Sequence, residues 1–154
     1  MVSQALVKDF EAMLGKENVF SSEADRQSYS YDSAVLQPVV PALVVRPTTT
    51  EQLGQCVKKL YDNGIPMTVR GAGSNLSGGT IPDKTKTVVI LTNGLTRILE
   101  INTADLYAVV EPGVVTADLA NAVAAKNLFY PPDPGSQAVS TIAGNIAENA
   151  GGLR

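Results

Sequence analysis

The 154-residue sequence contains no histidine, and this absence excludes several kinds of chemistry. Histidine is the usual general acid or base near neutral pH, the commonest metal ligand and the base of many serine and cysteine nucleophile systems. It is also one common point of covalent cofactor attachment. We therefore predict no catalytic residue and no metal site in this chain. Any ligand is expected to bind non-covalently, and a cofactor or residues outside the chain must supply any redox chemistry.

Other features are also scarce. The single cysteine, Cys56, excludes an internal disulfide. The longest basic run is a Lys-Lys pair and the net charge is −3, which argues against nucleic acid as a partner. No apolar run approaches the roughly 20 residues of a membrane span, and the charges of Lys8, Asp9 and Glu11 do not fit a signal peptide. The composition is 44% hydrophobic and 18% charged, which predicts a globular, cytoplasmic protein.

Residues 1–40 are predicted to form an N-terminal helical arm. Ser3 can cap a first helix, and Gly15 follows it as a stop. Residues 21–26 have the pattern of a second helical start, and residues 29–38 are expected to be irregular. The first helix has its apolar residues on one face: Leu6, Phe10, Met13 and Leu14.

Residues 42–69 predict a βαβ unit. A strand at 42–46 precedes a helix with a capping box of Thr48 and Glu51. Asn63-Gly64 ends the helix, and a second strand follows at 65–69. The helix is expected to bury Leu53, Cys56, Val57, Leu60 and Tyr61. Within this stripe, Cys56 is interpreted as a small buried hydrophobe rather than a reactive thiol.

The rest of the chain predicts three more strands and two more helices. The strands are at 87–91, 97–101 and 107–111, and the last two read as a hairpin. Thr116 is predicted to cap a helix that continues to about Lys126, and a short helix is expected to begin at Thr141. The inward residues of the helix after Thr116 are expected to be Val115, Leu119, Ala122 and Val123.

The most distinctive stretch is VRGAGSNLSGGT at residues 69–80, directly after a predicted strand. Glycines let the backbone approach a ligand closely, successive N–H groups form a concavity that suits phosphate oxygens, and Arg70 adds a positive charge. The Walker pattern fails at Gly79, where it needs lysine, and the Rossmann fingerprint fails at Leu76, where it needs glycine. We interpret the stretch as a diphosphate-binding loop. The alternative is a surface loop without a ligand.

A second polar, glycine-rich segment spans residues 131–152. A short helix from Thr141 is expected to aim free N–H groups at an anion, and its asparagines can bind a ribityl hydroxyl or a ring carbonyl. The alternative interpretation is a loop with ordinary capping residues.

Six motifs of this chain occur in the same order as in a known protein family, and together they support a resemblance to it. The chain resembles the FAD-binding domain of the vanillyl-alcohol-oxidase-type (PCMH-type) flavoproteins. Within that family it is most similar to the flavoprotein subunit of glycolate oxidases and to FAD-linked D-lactate dehydrogenases. The motifs are VRPTTTEQL at 45–53, VRGAGSNLSGG at 69–79, ILEIN at 98–102, VEPGV at 110–114, YPPDP at 130–134 and STIAGNIAENAGG at 140–152.

The resemblance implies an α+β fold in which residues 41–154 form an FAD-binding domain. A small βαβ subdomain precedes a second, mixed-sheet subdomain, and FAD lies between them. FAD is expected to be non-covalent, because Ser74 stands where covalent members carry histidine. Gly113 is implied to lie near the adenine half. The diphosphate loop comprises Arg70, Gly71, Ala72, Gly73, Ser74, Asn75, Leu76, Ser77, Gly78 and Gly79. The diphosphate, ribityl chain and flavin are also expected to contact Pro132, Asp133, Ser140, Thr141, Gly144, Asn145, Asn149, Gly151 and Gly152.

The resemblance also implies an activity. In such enzymes a small 2-hydroxy acid of the glycolate or D-lactate type passes hydride to flavin N5. The chain stops inside the last motif, so we expect it to be the N-terminal part of such an enzyme, without the cap domain and inactive alone. A partner subunit or a homo-oligomer is a further expectation. Two alternatives stay open: the same fold with another reaction (an ether-lipid synthase or a cell-wall precursor reductase), and a non-catalytic binding or assembly module that needs a partner chain.

Overall fold

The structure, a computed structural model, describes residues 2–153 and contains two sheets with five helices. A short 3-10 helix at Lys16–Asn18 follows the first α-helix. In chain order the elements are α1 (Gln4–Leu14), β1 (Val19–Phe20), α2 (Glu23–Gln27), β2 (Leu43–Val45), α3 (Thr50–Asp62), β3 (Met67–Arg70), β4 (Val88–Leu91), β5 (Ile98–Asn102), β6 (Tyr107–Val110), α4 (Thr116–Ala124) and α5 (Ile142–Glu148).

The first sheet has the strand order β1-β2-β4-β3. Strands β2, β4 and β3 are parallel, and β1 pairs with β2 in the antiparallel direction. All four residues of β4 are buried, which is typical of a strand with neighbours on both edges and cover on both faces. The predicted βαβ connection from β2 through α3 to β3 is present, but β4 lies between its two strands. The carboxyl ends of β3 and β4 therefore meet at one edge of the sheet.

One face of this sheet is covered by α1 and α3. Phe10 of α1 has no exposed surface and packs in the same apolar cluster as Leu43, Cys56 and Ile90. The predicted face of α1 is confirmed, since Leu6, Phe10 and Leu14 are buried and Met13 packs against them. The N-terminal segment therefore contributes side chains to the core of the first subdomain. A domain boundary near residue 40 stays a prediction.

The predicted capping box of α3 is displaced by one residue. Thr49, not Thr48, is the N-cap, and its hydroxyl accepts a hydrogen bond from the N–H of Gln52 at 3.2 Å. The Gln52 side chain, rather than Glu51, reaches back and accepts from the N–H of Thr48 at 2.8 Å. Three consecutive threonines offer the same motif in adjacent registers, so the sequence pattern alone does not distinguish them.

Two further helix predictions need correction. The buried stripe of α3 is narrower than expected, because Val57 and Tyr61 are 38% and 78% exposed while Cys56 and Leu60 are buried. Val57 and Tyr61 each directly follow a buried residue, so they lie on a neighbouring side of α3 that does not face the sheet. Thr116 is not a cap either: Val115 occupies that position without a side-chain bond, and Thr116 is the first helical residue, with a buried side chain.

The second subdomain contains the predicted hairpin of β5 and β6, which pair antiparallel. Within residues 2–153 its sheet consists of these two strands alone. Helices α4 and α5 contribute Leu119, Val123 and Ile142 to an apolar cluster with Val114, and residues of the hairpin pack against it. The α+β class and the two subdomains are thus confirmed, but the mixed sheet is that of the first subdomain, since β1 is antiparallel to its neighbour. The sheet of the second subdomain is antiparallel within the described residues.

We expect Phe10→Ala to lower the free energy of unfolding by about 3–5 kcal/mol, because it opens a cavity under a fully buried ring. Chemical denaturation of the 154-residue chain measures this difference. Tyr61→Ala is the control, since its 78% exposed ring should change the stability by at most about 0.5 kcal/mol. Equal, small effects of both substitutions would contradict the packing of α1 in the core.

Candidate functional site

A cavity of about 200 Å³ lies between the two subdomains, at the edge where β3 and β4 end. The glycine loop at 71–80 forms one wall, and the segment at 136–150 forms the other. The two segments that sequence analysis singled out separately therefore face each other. Among the predicted site residues, those that line the cavity are Gly71, Ala72, Gly73, Ser74, Asn75, Gly79, Ser140, Thr141, Gly144 and Asn145.

The first half of the loop presents backbone donors that no acceptor within residues 2–153 uses. Within residues 2–153, no hydrogen bond has the N–H of Ala72, Gly73, Ser74 or Asn75 as its donor. The carbonyl of Gly73 accepts from the N–H of Ser33 at 3.2 Å, and Gly73 has a positive φ of 73°. Consecutive unused N–H groups along a concave loop are suited to bind an anion.

The two walls approach each other closely because the facing residues are small. A Cβ at Gly71 would overlap the hydroxyl of Thr141, the N-cap of α5. On the α5 side the lining includes Ala143, Ala147 and Ala150. The cavity is thus a narrow cradle of backbone, methyl and hydroxyl groups, which suits a slender group such as a diphosphate or a polyol chain better than a bulky one.

The start of α5 does not offer the free N–H groups that were expected. The N–H of Ile142 donates to Val114 O at 2.9 Å, and that of Ala143 donates to Pro112 O at 3.2 Å. The N–H of Gly144 donates to the hydroxyl of Thr141 at 3.3 Å. The expectation of free N–H groups at this helix start is therefore wrong, because the first turn is anchored to the turn after β6 and to the Thr141 hydroxyl. A contact between this helix start and an anion stays a prediction. The short helix itself, with Thr141 as its cap, is confirmed.

Asn145 lines the cavity, but its amide nitrogen is used in a buried polar network. Its Nδ2 donates to the hydroxyl of Thr116 at 2.6 Å. The hydroxyl of Thr116 donates to the carbonyl of Ser140 at 3.0 Å, and the two hydroxyl groups of Thr116 and Ser140 are also 3.0 Å apart. All three side chains are buried. The network fixes the wall of the cavity, because each buried polar group in it has a partner.

Arg70 lies beneath the loop rather than in the cavity. Its side chain is 8% exposed, and its Nη1 donates to the carbonyl of Tyr31 at 2.6 Å. The guanidinium lies 5.7 Å from the centre of the Tyr29 ring. Burial lowers the pKa of Arg70, and the nearby Asp32 opposes that shift; the group stays charged because its ordinary pKa is so high. No Lys or Arg is found among the described residues that line the cavity.

Three further loop residues that were predicted as contacts, Leu76, Ser77 and Gly78, lie outside the cavity lining. Leu76 is largely exposed. Ser77 donates from its hydroxyl to Glu148 Oε1 at 2.8 Å and so joins the loop to the end of α5. Gly78 has a positive φ and packs its backbone near Leu36. None of the three lines the cavity.

The other predicted contacts shape the surroundings of the cavity. Gly113 packs against the carbonyls of Thr92 and Leu95, where a Cβ would overlap the backbone, and its N–H donates to Leu95 O at 2.8 Å. Asn149 ends α5 in the left-handed conformation. Pro132 precedes Asp133, which forms a parallel bridge with Gly152 and donates its N–H to Gly151 O. None of these residues lines the cavity, so a direct contact to the cofactor stays a prediction for them.

Sequence analysis missed several residues of the lining. Thr92 follows β4, and the rule that ligands lie beyond the carboxyl ends of parallel strands would find it once β4 is known to be parallel. The others lie within the two stretches that sequence analysis singled out, residues 69–80 and 131–152, but were not named there as contacts. The missed residues are Val69, Thr80, Thr92, Ser136, Ala143, Ala147, Glu148 and Ala150.

The described residues contain no group of three His, Cys, Asp or Glu side chains placed to hold a metal ion. Among the same residues, no helix is long and apolar enough to cross a membrane. Cys56 is buried in the first core, and burial raises the pKa of its thiol to about 11. The interpretation of Cys56 as a structural residue is consistent with this environment, since a thiol with so high a pKa is a poor nucleophile.

Comparison with known proteins agrees with the site. The family model for the FAD binding domain matches residues 41–154. The chain is 40% identical over 154 residues to the glycolate oxidase subunit GlcD of Bacillus subtilis (strain 168), covering 100% of this chain and 33% of that protein. It is 30% identical over 153 residues to the D-lactate dehydrogenase of Anaerostipes hadrus, covering 99% of this chain and 32% of that protein.

The fold is also similar to that of a solved structure. The structure of p-cresol methylhydroxylase with substrate bound matches with a TM-score of 0.81 at 26% identity, covering 94% of this chain and 30% of that chain. The chain therefore belongs to the FAD binding domain family, and it is similar to curated relatives named as a glycolate oxidase subunit and a D-lactate dehydrogenase. The predicted resemblance and the FAD cofactor are confirmed. The chain spans about a third of the length of these curated relatives.

We expect Thr116→Val to lower the free energy of unfolding by about 1–3 kcal/mol, because it leaves the buried Nδ2 of Asn145 without its acceptor. Thermal or urea unfolding of the 154-residue chain measures the change. Thr85→Val, at an exposed position, is the matched control and should stay within about 0.5 kcal/mol of the original chain. If both variants are equally stable, the network does not hold the cavity wall.

Proposed function

We propose that this chain binds FAD non-covalently and that the N–H groups of Ala72, Gly73, Ser74 and Asn75 hold its diphosphate. The observation that carries the proposal is that these four consecutive residues line the cavity while their N–H groups have no acceptor within the described residues. Hydrogen bonds from N–H groups to an anion are charge-assisted and stronger than those between neutral groups. Binding at this loop therefore does not need a cationic side chain in the lining.

The residues of the opposite wall fit the uncharged parts of the cofactor. Ser140, Thr141 and Asn145 line the cavity there, and we assign this uncharged wall to the ribityl chain. Glu148 is the one carboxylate among the described lining residues, and it repels phosphate. We therefore assign the polyol, rather than the diphosphate, to the part of the cavity beside Glu148.

For the complete protein we propose a flavin-dependent oxidoreductase that oxidises a small 2-hydroxy acid of the glycolate or D-lactate type. The names of the relatives support this substrate class. Bound FAD supplies the hydride acceptor of such a reaction, at flavin N5. The described lining offers a single titratable side chain, that of Glu148, so we assign substrate binding and proton removal to residues outside this chain.

The word subunit in the name of one relative supports a partner chain. A cytoplasmic location stays a prediction.

Titration of the purified chain with FAD, followed by flavin fluorescence, tests the first proposal. We expect saturable binding that Gly71→Ala weakens by about tenfold or more, because the new methyl group would fill the cradle against Thr141. Gly54→Ala, which meets no atom within 4 Å, is the matched control and should bind like the original chain. A folded chain that does not bind FAD, or equal binding by both variants, would contradict the proposal.

Two measurements on the same sample test the remaining parts. Acid precipitation should leave all flavin in the supernatant, because the cofactor is dissociable; flavin in the pellet would show a covalent bond. Glycolate and D-lactate should give no turnover with an artificial electron acceptor. Turnover by the FAD-loaded chain would place the catalytic groups within these 154 residues.

A further inference from the structure

A group of polar side chains is joined by hydrogen bonds to the glycine loop: two of them are buried and do not line the cavity, whereas the third, Thr80, is half-buried and does. It consists of Asp32, Arg70 and Thr80 together with the backbone of residues 29–33, and we call it the loop clamp. We propose that Asp32 and Arg70 are positioning residues: they hold the loop in the shape that binds FAD and so determine its affinity without touching it. This inference rests on the proposed binding of FAD at the loop.

Arg70 connects the loop to the N-terminal segment. Its Nη1 donates to the carbonyl of Tyr31 at 2.6 Å and lies 3.4 Å from the hydroxyl of Thr80. The guanidinium also fills the space directly under Gly73, where any Cβ would overlap it. The side chain therefore supports the loop at Gly73 and at Thr80, which are close to its two ends.

Asp32 completes the clamp from the opposite direction. Its Oδ2 accepts from the hydroxyl of Thr80 at 3.0 Å and lies 3.4 Å from the N–H of the same residue. Its Oδ1 accepts from the N–H of Ala34 at 2.8 Å, which fixes the carboxylate in the 29–34 segment. The side chain is 8% exposed, and its negative charge faces the buried cation of Arg70.

The hydroxyl of Thr80 is saturated by these contacts. It donates to Asp32 and accepts from Asn75 Nδ2 at 3.2 Å as well as from Arg70. One donor and two acceptor positions are all that a hydroxyl group has. At the other end, the Gly73 carbonyl accepts from the N–H of Ser33. The loop is thereby held from behind at both ends, while the N–H groups of residues 72–75 remain unused.

Neither Asp32 nor Arg70 lines the cavity, so an effect of either on FAD must pass through the loop. A loop that is already ordered in its bound shape loses less conformational entropy when the ligand binds. Removal of the Asp32 carboxylate also leaves a buried guanidinium without its counter-charge, which favours movement of Arg70 towards solvent. Both effects predict a loosened loop and a weaker complex.

The test compares Asp32→Ala, Asp32→Asn and the core control Val45→Ala in the 154-residue chain. Amide hydrogen exchange of Ser77 and Gly79, whose N–H groups donate to Asn75 Oδ1, measures the order of the loop without FAD, and fluorescence titration measures FAD affinity. We expect Asp32→Ala to raise the exchange rate of the loop and to weaken FAD by about tenfold or more. Asp32→Asn keeps the shape and one acceptor oxygen, and should lie between Asp32→Ala and the original chain in both measurements.

Val45→Ala separates positioning from a general loss of stability. Val45 is fully buried in the first core and away from the loop, so the variant should lower the thermal midpoint while leaving loop exchange and FAD affinity unchanged below that midpoint. If Asp32→Ala does not fold, the Asp32→Asn variant decides the question. Unchanged FAD affinity in a folded Asp32 variant would overturn the clamp. No FAD binding by the original chain would overturn the proposed function, and with it the role of the clamp.

Discussion

The parallel pairing of β4 with β3 is the interaction on which the site depends. It aligns Arg70 with Leu91 and brings the residues that follow both strands to one edge. The N–H of Thr92 then donates to the carbonyl of Arg70 at 3.0 Å, so the start of the glycine loop is fixed to the end of β4. In the same segment after β4, the carbonyl of Leu95 accepts a hydrogen bond from the N–H of Gly113, which belongs to the second subdomain. A single strand pair thus determines the position of the loop and the attachment of the opposite wall.

The positive charge at the start of the loop does not lie in the cavity where the ligand is proposed to bind. The cation that the sequence places at the start of the loop is buried behind it and faces Asp32, while the lining carries unused N–H groups and one carboxylate. A buried guanidinium that donates hydrogen bonds is a rigid support, because its planar fork can hold several acceptors at once. Recognition of an anion then falls to backbone N–H groups, whose direction depends on the shape of the loop. In such a site the order of the loop matters as much as the identity of its side chains.

Sequence analysis located both walls of the cavity but did not predict the structural roles of some residues. Local patterns were sufficient for the strand that precedes the loop, for the hairpin and for the cap at Thr141, because each depends on neighbouring residues. They were not sufficient for Arg70 or Thr116, whose partners come from residues 31–32 and 140–145 and are set by tertiary packing. The insertion of β4 between β2 and β3 is likewise a non-local pairing, which residue periodicity does not encode.

The two walls of the cavity differ in how they are stabilised. The first subdomain has a four-stranded sheet with α1 and α3 packed on it, whereas the second has a two-stranded sheet within the described residues. An isolated two-stranded sheet is marginally stable, so the second wall depends on its bonds to the first, among them those from Gly113 to Leu95 and from Ser77 to Glu148. A ligand that contacts both walls binds only when they are docked. Its binding must therefore stabilise the docked arrangement by mass action, and the weaker wall gains most from it.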